Sequence, residues 1–297
     1  MKTVIAISGP TGVGKTETAI RLAHQFQTEI ISCDSRQFYS ELSIGVARPS
    51  ENELASCRHH FIGSVSIHDR YTAGQFAQDA RLKIAQLLHV HDTVIVVGGS
   101  MLHMDALLYG IDDLPGDATI KHQLQEELNS KGMDALLLEL HEKDPSYFTV
   151  VDKQNARRVM RALEVIRITK RPFSLLRTGD SEPLPYRIVH VFLNGNREWV
   201  YDRINQRVLV MMQQGLVNEV KSLLPYKDLQ ALNTVGYKEV FDYLNEEISI
   251  DECIIQIQQH SRQYAKRQMT WYRNKSHVIE IDVQKEDPVS VIQSLIS

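Results

Sequence analysis

Residues 9 to 16 read Gly9-Pro10-Thr11-Gly12-Val13-Gly14-Lys15-Thr16, a string that fits G-x-x-x-x-G-K-[ST]. Its position constrains the fold more than the string itself. Thr3 to Ser8 (TVIAIS) precedes it, β-branched and apolar like a strand buried on both faces, and Glu17 to Ala23 comes after it with helical spacing. In a strand, glycine loop and helix so ordered, consecutive backbone N–H groups turn inward around a polyphosphate, and the helix N-terminus adds its positive end. Lys15 supplies a point charge, and the Thr16 hydroxyl can ligate Mg²⁺.

The strand-then-helix pattern continues. Glu29 to Cys33 reads as a second strand and stops at Asp34-Ser35, while Thr93 to Val97 reads as a third and stops at Gly98-Gly99-Ser100. Between them Thr72 to Leu88 has amphipathic helical spacing, with Thr72 as its cap. Such alternation predicts an α/β fold, a P-loop-type parallel sheet core flanked by helices. After Leu114-Pro115-Gly116 only helix-period stretches remain, among them Ile120 to Asn129 and Asn155 to Ile168. Residues 116–185 are therefore expected to form a helical insertion domain, and 1–115 with 186–297 the catalytic core. The strand pattern returns at Arg187 to Leu193. Helices are then expected over Glu198 to Gln214, Val217 to Leu224, Tyr237 to Leu244 and Ile250 to Arg273, with a strand at Val278 to Ile281 and a closing helix over Pro288 to Ser297.

With 297 residues, 43% hydrophobic and 24% charged, the chain can bury a sizeable core without disulfides or metal staples. That composition excludes a disordered, collagen-like or coiled-coil chain. No apolar run approaches the roughly 20 residues a bilayer needs, and a glycine interrupts the first apolar stretch before a signal peptide is complete. Cys33, Cys57 and Cys253 are scattered and odd in number, which points to a reducing, cytoplasmic setting without structural zinc. His59-His60 is not read as a metal pair, since neighbours on a strand point oppositely and no carboxylate completes a site.

The net charge of −4 hides an uneven distribution. Lys153, Arg157, Arg158, Arg161, Arg167, Lys170, Arg171 and Arg177 face the single acid Glu164, and Arg262, Lys266, Arg267, Arg273 and Lys275 have no acid among them. Each island is either a nucleic-acid contact or a solvated helix face.

The strand Thr93 to Val97 ends without the carboxylate that usually holds the metal's water shell in nucleotide hydrolases. Asp34 is the acid at a strand end, facing the same crevice as the phosphate loop. It is either a general base beside a diphosphate or a cap working through Ser35 and Gln37. Arg203 and Arg207, one helical turn apart, either close over the diphosphate or stay solvated. Ser100 either contacts substrate, caps the helix Met101 to Tyr109, or does both.

Taken in order, the series is narrow: Gly9 to Thr16, Asp34-Ser35-Arg36-Gln37-Phe38-Tyr39, Gly45 to Pro49, His59-His60, Gly98 to Leu102, Arg157 to Val165, Val235 to Glu239, and Ala265 to Trp271. Across nearly the whole chain it resembles the tRNA dimethylallyltransferases (tRNA isopentenyltransferases). The resemblance implies transfer of a dimethylallyl group from dimethylallyl diphosphate to N6 of the adenosine immediately 3′ of a tRNA anticodon, with Mg²⁺ as cofactor, no membrane partner and a monomeric enzyme. It implies that Gly9, Pro10, Thr11, Gly12, Val13, Gly14, Lys15 and Thr16 hold the diphosphate, with Thr16 on the metal. Asp34 is then the base, and Lys15 and Ser100 share the catalytic centre. Contact with tRNA falls to Asp34, Ser35, Arg36, Gln37, Ser100, Arg157, Arg158, Arg161, Gln263, Lys266, Arg267 and Trp271, with the insertion on the anticodon stem-loop.

Three positions depart from the family pattern: Val46 where threonine is common, His103 where an aromatic is common, and Gly63 where an acid often comes after the paired histidines. Two other readings share the phosphate loop, a kinase of a small metabolite and a nucleotide-dependent RNA-binding switch. Both leave Thr93 to Val97 without its expected acid, and the kinase leaves the basic islands unexplained.

Overall fold

The computed structural model describes residues 1–112, 114–177 and 182–296. Its framework is a parallel sheet in the order β3-β2-β4-β1-β5-β6. The strands are β1 (Thr3–Ser8), β2 (Ile30–Ser32), β3 (His59–His60), β4 (Thr93–Val97), β5 (Arg187–Asn194) and β6 (Ile279–Asp282). β1 lies between β4 and β5, in register Thr3 to Thr93 and Thr3 to Arg187, and every residue of β1 and β4 is buried. Their β-branched side chains pack on both faces, as a parallel sheet sandwiched by helices requires. Fully burying Val4, Ile5 or Ile7 stabilises by about 1.5–3 kcal/mol each.

On one side the sheet packs against α1 (Lys15–Phe26) and α13 (Pro288–Ile296), through Ile5, Ile7, Leu22, Val191 and Ile292. α1 starts at Gly14, whose φ of 97° is left-handed. Other helices of the core are α3 (Ala73–Val90), α4 (Met101–Tyr109), α9 (Arg197–Gln213), α10 (Leu216–Ser222), α11 (Tyr237–Leu244) and α12 (Ile250–Arg273). Thr72 caps α3 and Ser249 caps α12, each in a reciprocal pair with the side chain three residues on. Short elements such as β3, α2 (Glu51–Ser56) and α6 (Pro145–Val150) carry no period that marks them in the sequence.

The chain divides into two compact units, Met1–Leu108 with Leu184–Ser297, and Tyr109–Pro183. Leu184 N–H donates to Leu108 O (2.9 Å), so the first unit closes behind the excursion. The second unit is helical: α5 (Ala118–Lys143), α6, α7 (Ala156–Thr169) and α8 (Phe173–Leu176) surround Leu124, Leu136, Leu140, Val159, Leu163 and Phe173. α5 continues past the expected end at Asn129, bending at Gly132 where φ is 78°. Ser297, the last residue of the expected closing helix, lies outside the described residues.

Candidate active site

Because β4 separates β2 from β1, three turns stand side by side at the carboxyl edge of the sheet: the loop from Gly9, the Asp34 turn and the Gly98-Gly99-Ser100 turn. Two of them approach closely. A Cβ on Gly98 would lie 2.0 Å from Cys33 O, so only glycine allows the ends of β2 and β4 this spacing. It lets Ser35 N–H donate to Ser100 Oγ (2.8 Å), which in turn donates to Ser35 Oγ (3.0 Å). Ser100 is thus committed to the Asp34 turn through its side chain, while its carbonyl accepts from Met104 N–H at the start of α4.

Asp34 Oδ1 accepts from Arg36 N–H (3.0 Å), and Asp34 O from Gln37 N–H (3.1 Å). The backbone beyond Asp34 forms a turn and not a helix, so the carboxylate shapes its own loop instead of capping one. Its second oxygen, Oδ2, lies 3.7 Å from the point where a Gly99 Cβ would sit.

Cations gather on the other side. Lys15 Nζ donates to Gly9 O (2.9 Å) and Pro10 O (2.8 Å). Arg207 donates to Thr11 Oγ1 (2.9 Å) and Arg203 Nε to Gly12 O (2.5 Å), so both arginines expected at the diphosphate reach the loop. Burial, then the neighbouring Arg207 guanidinium, bring the Lys15 ammonium down to about 7, and Asp34 opposes them. Three cations around one glycine loop, with Asp34 across the crevice, define an anion site beside a carboxylate.

An aromatic wall and a strap complete the crevice. Phe38 stacks on Phe76 (centroids 4.8 Å), and His103 lies 5.7 and 5.8 Å from the two rings. Burial lowers His103 to about 4, with Asp34 opposing and Arg36 adding, so the ring is neutral at pH 7. The strap, residues 43–49, presents Ala47 O to Gln37 Nε2 (3.0 Å) and to Arg207 (3.3 Å). Glu219 holds it by accepting from Ile44 N–H (2.7 Å), Gly45 N–H (3.1 Å) and the Tyr237 hydroxyl (2.6 Å).

The expected tRNA-contacting residues are less uniform. Gln263, Lys266 and Arg267 on α12 and Arg157 and Arg158 on α7 are exposed. Arg161 instead donates to Pro115 O and Leu114 O and pairs with Glu164, and Arg167 of the same island pairs with Glu127 and Glu139. Arg36 donates to Gln230 O, Ala231 O and Asn233 O. Trp271 Nε1 donates to Asp105 (2.9 Å). His60 meets the carboxylate of Glu29 and His59 bonds Cys57 O; among the described residues no three His, Cys, Asp or Glu side chains group around a metal position. Sequence reasoning missed Tyr264, Gln268 and Tyr272. Four-residue spacing of polar groups down one face of α12 is the signal that could have found them.

A phosphate-loop α/β core with a base candidate at the neighbouring strand end defines a class that activates a polyphosphate leaving group or phosphoryl donor. The comparisons narrow it. The family model for IPP transferase matches residues 37–275. The chain is 43% identical over 279 residues to tRNA dimethylallyltransferase 1 of Bacteroides thetaiotaomicron, covering 94% of this chain and 91% of that one. It is 40% identical over 297 residues to the tRNA dimethylallyltransferase of Christiangramia forsetii, covering 99% and 98%. Among solved structures it is similar to the tRNA isopentenylpyrophosphate transferase of Bacillus halodurans (TM-score 0.72, 34% identity, 99% of this chain and 94% of that one). It is also similar to a eukaryotic dimethylallyltransferase described as acting on tRNA (TM-score 0.81, 25% identity, 99% and 78%). The chain belongs to the IPP transferase family.

Proposed function

We propose that this protein is a tRNA dimethylallyltransferase, moving the dimethylallyl group from dimethylallyl diphosphate to N6 of the adenosine immediately 3′ of the anticodon and releasing diphosphate. The observation that carries this is the pairing of the Lys15, Arg203 and Arg207 cations on one strand end with the Asp34 carboxylate on another, with the Ser100 turn between them. The cations stabilise the diphosphate as the C–O bond opens. Asp34 takes the N6 proton as the N–C bond forms, compensating for an amine whose lone pair is delocalised into the purine. Carbon is attacked, so the acid that β4 lacks is not required.

Thr16 offers one hydroxyl, a sparse protein donor set that suits Mg²⁺ bound largely through phosphate oxygens and water. Bound there, Mg²⁺ supplies charge neutralisation of the leaving group. The target base must leave the anticodon-loop stack, at a cost of a few kcal/mol. Exposed Arg157, Arg158, Lys266 and Arg267 would offset it through phosphate contacts. The reading includes a monomeric enzyme of the cytoplasm. Its three cysteines are free thiols buried in the fold, and no helix among the described residues is long and apolar enough to cross a membrane.

With Mg²⁺, the purified protein should transfer label from dimethylallyl diphosphate to an anticodon stem-loop bearing an adenosine 3′ of the anticodon. ATP consumption without labelled RNA would replace this reading with a kinase. Asp34→Asn should lower turnover by about 10²- to 10⁴-fold and leave stem-loop affinity within about threefold. Equal losses of turnover and affinity would make Asp34 a turn-forming residue only.

A further inference from the structure

The face of α12 that carries Tyr264, Gln268 and Tyr272 meets the turns of the crevice at successive helical turns. The Tyr264 hydroxyl donates to Gly99 O (3.1 Å), and Ser8 Oγ, immediately before the phosphate loop, donates to the Tyr272 hydroxyl (3.1 Å). Gln268 bonds both turns at once: its Nε2 donates to Gly99 O (2.7 Å) and to Gly9 O (3.4 Å). Both amide protons are used, and the side chain is 1% exposed.

Its other amide atom is anomalous. Gln268 Oε1 is buried without a hydrogen-bond partner. An unpaired buried acceptor costs about 1–3 kcal/mol, and a methionine would fill the same space without it. Packing alone therefore does not explain an amide here; its two donors do. They act next to the reacting groups, because Gln268 Nε2 (2.8 Å) and Asp34 Oδ2 (3.7 Å) approach the same point, the place a Gly99 Cβ would take.

We infer that Gln268 is a positioning residue: by tying Gly9 to Gly99 it sets the separation between the phosphate loop and the Asp34–Ser100 turn. It thereby fixes that separation to α12, whose outer face carries Gln263, Lys266 and Arg267. The inference rests on the prenyl-transfer reading above. Under it, the amide governs the reach from the leaving group to the base, while each turn still binds its own substrate. Loss of the amide acts on kcat and spares KM.

The test compares full-length wild type, Gln268→Met and Gln268→Glu in single-turnover and steady-state transfer to the stem-loop. Gln268→Met should lose about 10- to 100-fold in kcat, with both KM values within about threefold and Tm equal to or above wild type. Gln268→Glu places an acceptor against two carbonyls, and protonation returns one donor. Its kcat relative to Gln268→Met should rise as the pH falls from 8 to 6. Wild-type kcat in Gln268→Met, a pH-independent ratio, or loss of fold in Gln268→Met would each overturn the inference, the last by assigning Gln268 to the core. Absence of label transfer by wild type would instead remove the function reading itself.

Discussion

At the scale of single residues, two of the three departures from the family pattern, Gly63 and His103, have identifiable surroundings. Gly63 has a φ of 58°, the left-handed region that strains any residue with a Cβ, and it lies beside the Arg48 guanidinium that donates to Tyr39 O and Ser40 O. His103 takes a place in the aromatic wall as a neutral ring. Because the fold holds it near 4 against an ordinary 6.5, the unfolded chain takes up this proton first as the pH falls. Wild type should therefore lose stability relative to His103→Phe between pH 6.5 and about 4, at most about tenfold in the unfolding equilibrium per pH unit. Parallel urea midpoints for the two proteins across that window would contradict this. Gly98→Ala should cost about 1–3 kcal/mol or more, since its Cβ meets backbone and not a movable side chain; an unchanged Tm would refute it. Asp34 was legible in the sequence because a strand end exposes its last residue to the crevice. Gln268 was less so, since the four-residue spacing on α12 marks a polar face without naming its partners, which arrive from residues 9 and 99.

Among the elements, those with a strong period lie where the sequence puts them. β4, α4, α11 and α12 begin and end at the expected residues. α5 does not: the expected stretch ends at Asn129, whereas the helix runs on to Lys143 through a bend at Gly132. The strap over residues 43–49 carries no period, and its position depends on Glu219 of α10. Glu219→Ala removes three hydrogen bonds and leaves two strap amides without that acceptor. It should destabilise the protein by about 1–3 kcal/mol and weaken dimethylallyl diphosphate binding, because Ala47 O then loses its hold on Arg207. Denaturant unfolding with equilibrium binding checks both, and unchanged affinity would detach the strap from the site.

For the whole molecule, charge placement separates residues that sequence treats alike. Arg158 is exposed, whereas Arg161, three positions on in the same run, is spent on two carbonyls and Glu164. Neutralising Arg158 or Lys266 should reduce the salt slope of stem-loop binding by about one unit each. Arg161→Ala should lower Tm and leave the slope alone, and a lowered slope would return Arg161 to the RNA contacts. What the sequence by itself determined was local: the phosphate loop, the strands that end in Asp34 and Ser100, and the helical excursion, each written in a period or a short string. The strand order was decided only by tertiary structure, since it depends on which buried faces pack together. That order sets β4 between β1 and β2, and with it the meeting of the Lys15 cation, the Asp34 carboxylate and the Gln268 amide, which stand far apart along the chain.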